Sequence, residues 1–392
     1  MRKFFKRLGW VVLVLVVLAA AVGFWKREDL TRLMAVNSLF AEDRIVQNFS
    51  HMDTLFHSAA MQGGTPSVLP QGTPAQMPEG FDAWQEARHV TATVVLHDGA
   101  LVYENYRLGT DPQDLRVSWS VAKSALSLLL GTLVADGTIP DLDAPVTQYA
   151  PELRGSAYDG ASIRNVLNMA SGVAFNEDYL DFWSDINRMG RVLALGGSMD
   201  GFSAGQTGRI APPGTEWHYV SIDTHVISMV IRGATGRTIP DLMQERLFIP
   251  LGLERAPYYV TDGHGVAFVL GGLNLTTRDY ARLGQLVEQG GVWQGRQIIP
   301  ADWVAQSTAA SAPGDVGYGY QWWIPPAAAP GEVYARGVYG QFIWIDRDRN
   351  VVIAVNSADR AFREPGVMDA NIAMLRAIAD SLSPLATPQP EE

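Results

Sequence analysis

The chain has 392 residues, 47% hydrophobic and 18% charged, with a net charge of −11 and no cysteine. Such a chain has ample apolar material for one large domain or two ordinary ones, and an acidic surface without a basic stripe is a poor binder of nucleic acid. The absence of thiols excludes disulfides, cysteine nucleophiles, Cys-ligated zinc and iron–sulfur clusters.

Met1–Arg7 carries four positive charges, and Leu8–Trp25 follows with none. As a helix that run is about 27 Å long, enough to cross the hydrocarbon of a bilayer. The basic flank places the N-terminus in the cytoplasm. Residues 1–25 are therefore expected to be a single-pass inner-membrane anchor, with the body of the chain on the periplasmic, extracytoplasmic side. A cleaved signal peptide ending near Ala19-Ala20-Ala21 is the rival reading; the apolar run continues past those alanines to Trp25. Residues 26–86 read as an extension and linker. Within them Met61–Gly80 is rich in Gly, Pro and Gln, the composition of an extended strap.

A single large domain is expected over 87–383. Val90–Leu96 and Ala100–Tyr106 are β-rich runs joined by His97-Asp98-Gly99, and Asp-Gly supplies the positive φ of a tight hairpin turn. Ser120–Ala135 reads as a helix apolar on nearly every side, hence central and buried. Ile163–Met169, Ser221–Arg232, Ile239–Leu247 and Thr277–Gln289 carry helical patterns. Strand patterns return at Tyr334–Gly337, Phe342–Asp346 and Val351–Asn356, and Val367–Leu382 is a last helix. Residues 384–392 read as a disordered tail. Strands at both ends with helices between predict an α+β fold: one antiparallel sheet built from both chain ends, a helical insertion, and a cleft where the two meet.

The chemistry centres on Ser120-Val121-Ala122-Lys123. Lys123 is the only lysine after Lys26; every other cation downstream is an arginine or histidine. A serine hydroxyl becomes a nucleophile when a base takes its proton. A lysine held uncharged by burial can be that base, and an arginine cannot. Residues i and i+3 share a helix face, so Lys123 is expected beneath Ser120, with the helix's amides facing negative charge that grows there.

This S-x-x-K resembles that of serine β-lactamases and penicillin-binding proteins. Pro213–Ser221 (PGTEWHYVS) resembles the tyrosine-bearing second motif of class C β-lactamases and their relatives, with Tyr219 as the tyrosine. Ala335–Gln341 (ARGVYGQ) falls where the family has its Lys-Thr-Gly strand. Met169–Gly172 (MASG) and Gly271–Thr277 (GGLNLTT) support the family likeness, and Gly337–Gln341 (GVYGQ) with the membrane-proximal segment Ser38–Phe56 brings it closest to 6-aminohexanoate-dimer hydrolases and related esterases. The resemblance implies a β-lactamase/transpeptidase-like fold and a serine hydrolase needing neither cofactor nor metal, whose substrate is a small amide or ester. It implies Ser120 as nucleophile, Lys123 as base and Tyr219 as leaving-group acid. The oxyanion would be held by the amides of Ser120 and Val338, and the substrate contacted by Tyr179, Ser221, Arg336, Gly337 and Tyr339. One departure stands out. Ala335 occupies the place of the lysine that holds a β-lactam carboxylate, which argues against efficient β-lactam turnover. Arg336 is adjacent, but neighbouring strand residues face opposite ways.

Two other readings are a D,D-peptidase of the penicillin-binding type and a non-catalytic binding protein on the same fold. Gly201–Gly205 (GFSAG) matches a nucleophile elbow, but its flanks lack the strand and helix that motif needs. His218 and His225 lack a third ligand for a metal site. Trp322-Trp323 reads as core and cleft wall. Nothing in the sequence sets an oligomeric state.

Overall fold

The computed structural model describes residues 2–179 and 181–382; the tail expected at 384–392 lies outside them. Helix α1 (Arg2–Trp25) is followed after one residue by α2 (Arg27–Ser38). None of the apolar window of α1 is buried. In contrast, α2 docks on the protein body, with the Arg32 Nε donating to the Ala194 carbonyl at 3.1 Å. Residues 39–56 then bury Leu39, Ile45, Phe49 and Met52 in the main core, and β1 (Ser58–Ala60) enters a small sheet. The Gly/Pro-rich stretch is a strap against the sheet edge: the Gly72 and Ala75 amides donate to the carbonyls of Leu101 and Val102, each at 2.9 Å.

The central sheet opens with β2 (Val90–His97) and β3 (Ala100–Tyr106). Asp98 and Gly99 have φ of 50° and 74°, the left-handed pair that a two-residue hairpin requires. The short β4 (Arg116–Val117) leads into α3 (Val121–Ala135), in which Val121 through Leu133 are all buried. Helices α4 (Ile163–Leu167), α5 (Asp185–Ala194), α6 (Met199–Ala204) and α7 (Ser221–Thr235) form the helical insertion. Strands β5 (Tyr258–Val260) and β6 (Leu273–Leu275) join β1 and β4 in the small sheet, in the order β1-β5-β6-β4. After α8 (Thr277–Glu288) come β7 (Tyr318–Gly319), β8 (Trp322–Trp323), β9 (Glu332–Gly337), β10 (Gln341–Asp346), β11 (Val351–Ser357) and α9 (Val367–Leu382).

The large sheet has seven strands in the order β3-β2-β11-β10-β9-β8-β7, all antiparallel. The first hairpin therefore pairs with the last strands, as the α+β reading expects. One sheet face packs on α3 and α8 in the main core. The other buries Val95, Trp344 and Ile353 against Ile372, Leu375 and Ile378 of α9. Alternation along β9 assigns Tyr334 to the α9 side and Ala335 to the α3 side. The sheet's end, the start of α3 and the helical insertion meet around Ser120.

Candidate active site

Ser120 directly precedes α3, held by what comes before it. Val117 pairs with Asn274, and the Ser118 amide donates to the Leu273 carbonyl at 2.8 Å. Trp119 then turns through φ 42°, a left-handed conformation a bulky residue adopts only when its surroundings impose it. Those surroundings are aromatic. The Trp119 ring lies 5.7 Å from Phe40, 5.4 Å from Phe49 and 6.1 Å from Tyr339. Tyr339 is itself left-handed at φ 61° and stacked on Phe40 at 4.7 Å. The residues just before Ser120 and just after Val338 are thus both strained and braced by the same cluster, two members of which come from the N-terminal extension.

Lys123 is 2% exposed. Its Nζ lies 2.8 Å from the Ser120 Oγ, 3.1 Å from the Ser221 Oγ and 3.0 Å from the Leu270 carbonyl, all neutral oxygens. It also sits 5.2 Å from the centroid of the Tyr219 ring. Tyr219 rests against Trp323 and Tyr318, at 5.5 and 6.4 Å between centroids. Ser221 opens α7, where its backbone amide donates to the Glu177 Oε1. A carboxylate there suits the positive end of a helix dipole. Among the described residues the second, buried carboxylate oxygen of Glu177 has no hydrogen-bond partner. Burial pushes the Tyr179 phenol well up, and the Glu177 charge adds to that.

One turn further, Asp223 is fully buried and accepts from the Tyr158 and Ser171 hydroxyls at 2.8 Å each. Burial raises its carboxyl to about 8 against those hydrogen bonds, with the Glu177 charge a smaller contribution in the same direction. Its surroundings therefore favour the neutral carboxyl under the second motif.

The third motif meets the first backbone to backbone. A Cβ on Gly337 would fall 2.6 Å from the Ser118 carbonyl oxygen and 3.0 Å from the Ser120 nitrogen. Glycine is needed at 337 for this approach, which brings the end of β9 against the 118–120 segment.

Two cavities adjoin Ser120. One, of about 110 Å³, is walled mainly by apolar side chains. The other, of about 400 Å³, includes Glu177, Tyr219, Arg336 and Arg363. Ser120, Tyr179 and Val338 line both. Of the residues singled out from the sequence, Ser120, Lys123, Tyr219, Ser221, Gly337, Val338 and Tyr179 converge here. Arg336 lines the larger cavity from the sheet face opposite to Ala335, its guanidinium 4.2 Å from the Trp323 ring centroid. Tyr339 lines neither cavity; its ring belongs to the aromatic brace.

The GFSAG serine is elsewhere: Ser203 lies on α6, fully buried, its hydroxyl donating to the Met199 carbonyl at 2.9 Å. His225 bonds Asp200 at 2.8 Å, and His218 lies outside α7, so the two share no helix face. Among the described residues no cluster suited to a metal ion occurs. Four features escaped the sequence reading: Glu177, the Leu270 carbonyl, the Asp223 prop and the aromatic brace. Glu177 and Leu270 adjoin the singled-out Tyr179 and Gly271. Phe40 and Phe49 lie in the Ser38–Phe56 segment that carries part of the family likeness, but nothing local gives either ring a role.

Comparison with known proteins agrees with this geometry. The beta-lactamase family model matches residues 75–376. The 6-aminohexanoate-dimer hydrolase of Paenarthrobacter ureafaciens is 32% identical over 284 residues, 68% of this chain and 72% of the relative. Among solved structures, a Bacillus anthracis protein assigned as a 6-aminohexanoate-dimer hydrolase superposes with a TM-score of 0.80 at 24% identity, covering 90% of this chain and 97% of that one. EstCE1, a hydrolase with promiscuous acyltransferase activity, gives 0.57 at 16% identity, over 77% of this chain and 96% of its own. The chain belongs to the beta-lactamase family and is an enzyme of the serine hydrolase type.

Proposed function

We propose that this protein is a membrane-anchored, extracytoplasmic serine hydrolase that cleaves a small amide or ester through an acyl-enzyme on Ser120. The observation that carries the reading is the 2.8 Å contact between the Lys123 Nζ and the Ser120 Oγ. As a free amine, Lys123 has two hydrogens for Ser221 and Leu270 and one lone pair for the serine proton. Ser120 attacks the carbonyl carbon as Lys123 takes that proton. The negative oxygen is met by the amides of Ser120 and Val338, each such donor being worth about 3 kcal/mol at the transition state. Tyr219, beside Lys123, gives a proton to the departing nitrogen or oxygen. Water then attacks the acyl carbon and gives a proton to the Tyr219 oxygen, the bond to the Ser120 Oγ breaks as Lys123 returns its proton there, and the acid is released.

The amide or ester class is supported by the P. ureafaciens relative and by Ala335, an uncharged side chain at the place of the motif's lysine. The anchor reading is supported by the length and apolarity of α1, none of which packs into the protein.

The test is hydrolysis of a panel of nitrophenyl esters, aminohexanoate dimer, D-alanyl peptides and nitrocefin, by wild type and Ser120→Ala. Turnover of esters or linear amides that vanishes in Ser120→Ala is expected. Nitrocefin turnover above both, or full activity in Ser120→Ala, would overturn the reading.

A further inference from the structure

The geometry points to an acyl-chain specificity: the apolar cavity beside Ser120 receives a short unbranched alkyl acyl group, while the leaving group departs into the larger polar cavity. This rests on the Ser120 acyl-enzyme proposed above. An acyl carbon on the Ser120 Oγ with its oxygen at the Val338 amide has two remaining directions, and Ser120 and Val338 stand at the junction of both cavities. Tyr219 decides between them. The residue that protonates the leaving atom must face the leaving group, and Tyr219 lines the larger cavity and not the smaller. The acyl half is left with the smaller one.

That cavity is built for hydrocarbon. Its walls include Leu39, Phe56, Met189, Leu193, Phe268 and Leu270, the first two from the N-terminal extension. Its charge-free lining would leave the carboxylate or ammonium of a polar acyl group unpaired, which disfavours such substrates. Since an apolar cavity of about 150 Å³ takes the six carbons of benzene, one of about 110 Å³ takes roughly four or five, the size of a butanoyl or pentanoyl chain. Gly190 of α5 forms part of the wall, and among the described residues no atom outside its own stretch of helix lies within 4 Å of where its Cβ would be. The space is open on that side and can be filled by substitution.

The full-length protein is assayed with nitrophenyl esters from acetyl to dodecanoyl, alongside Ser120→Ala. The expected kcat/KM rises by up to about fourfold per methylene to roughly pentanoyl, then falls. Gly190→Phe should lower the pentanoyl-to-acetyl ratio by about tenfold or more. Leu193→Ala should move the optimum to longer chains. Opposite shifts in the two variants are not produced by general misfolding. The same acyl group is also offered as a dissolved ester and in phosphatidylcholine vesicles. Preference for vesicles places the donor in the bilayer and preference for the dissolved ester places it in solution; either supports the acyl assignment. A flat chain-length profile that still depends on Ser120 overturns the acyl assignment alone. No Ser120-dependent turnover of any ester overturns the acyl-enzyme reading and this one with it.

Discussion

Replacing Gly337 by alanine tests how the oxyanion site is assembled. The added methyl would lie 2.6 Å from the Ser118 carbonyl oxygen and 3.0 Å from both the Ser120 nitrogen and the Trp119 Cβ. Ordinary contact begins near 3.4 Å, so β9 and the 118–120 segment must separate by about 0.8 Å. Neither side yields easily. The Ser118 amide is bonded to Leu273, and Gly337 is paired with Gln341 across the sheet. The separation draws the Val338 amide away from the position where it would stabilise negative charge. Losing one such donor costs about 2.7–4 kcal/mol, or roughly 10²–10³ in kcat. Overpacking itself costs about 1–3 kcal/mol of stability, which a domain of this size can absorb while staying folded. The assay is single-turnover acylation by a nitrophenyl ester, read beside urea unfolding. Gly201→Ala serves as control, because its Cβ would meet Ser198 at an ordinary 3.5 Å. We expect acylation to fall by two to three orders of magnitude in Gly337→Ala and to be unchanged in Gly201→Ala. A folded Gly337→Ala protein that acylates at the wild-type rate would refute the argument.

Lys123→Arg should lower kcat by about 10²–10⁴, since a guanidinium keeps its proton and cannot take the one from Ser120; unchanged turnover would remove the basis of the mechanism. Asp223→Asn should change how stability depends on pH. With its carboxyl at about 8 in the fold and 3.8 ordinarily, the native protein holds a proton that the unfolded chain has lost between those values. Stability from this group is complete below pH 3.8 and is lost as pH rises toward 8, at up to about 1.4 kcal/mol per unit. Urea unfolding at pH 5 to 8 should show a shallower decline in Asp223→Asn, whose side-chain oxygen can still accept from Tyr158 and Ser171. Equal slopes in both proteins would mean that Asp223 is ionised in the fold.

Some of this protein was written into the sequence because the physics involved is local. Asp98-Gly99 supplies two left-handed residues, so the first hairpin could be read from a dipeptide. The burial of α3 followed from apolar residues on all its sides. The three-residue gap between Ser120 and Lys123 on a helix turn fixed the distance at which a base meets its serine. Other features depend on residues far apart in the chain. Phe40 and Phe49 brace Trp119 and Tyr339 across 70 to nearly 300 positions; the likeness of Ser38–Phe56 marks their segment, and no periodicity gives the two rings that role. Arg336 could be given a sheet face by alternation, but only the packing of Trp323 and α9 around it shows that its own face also borders the cleft. The two cavities are spaces between elements, set by where α2, α5 and β9 come to rest. A sequence states which side chains are available; the volume left between them exists only after the chain has packed.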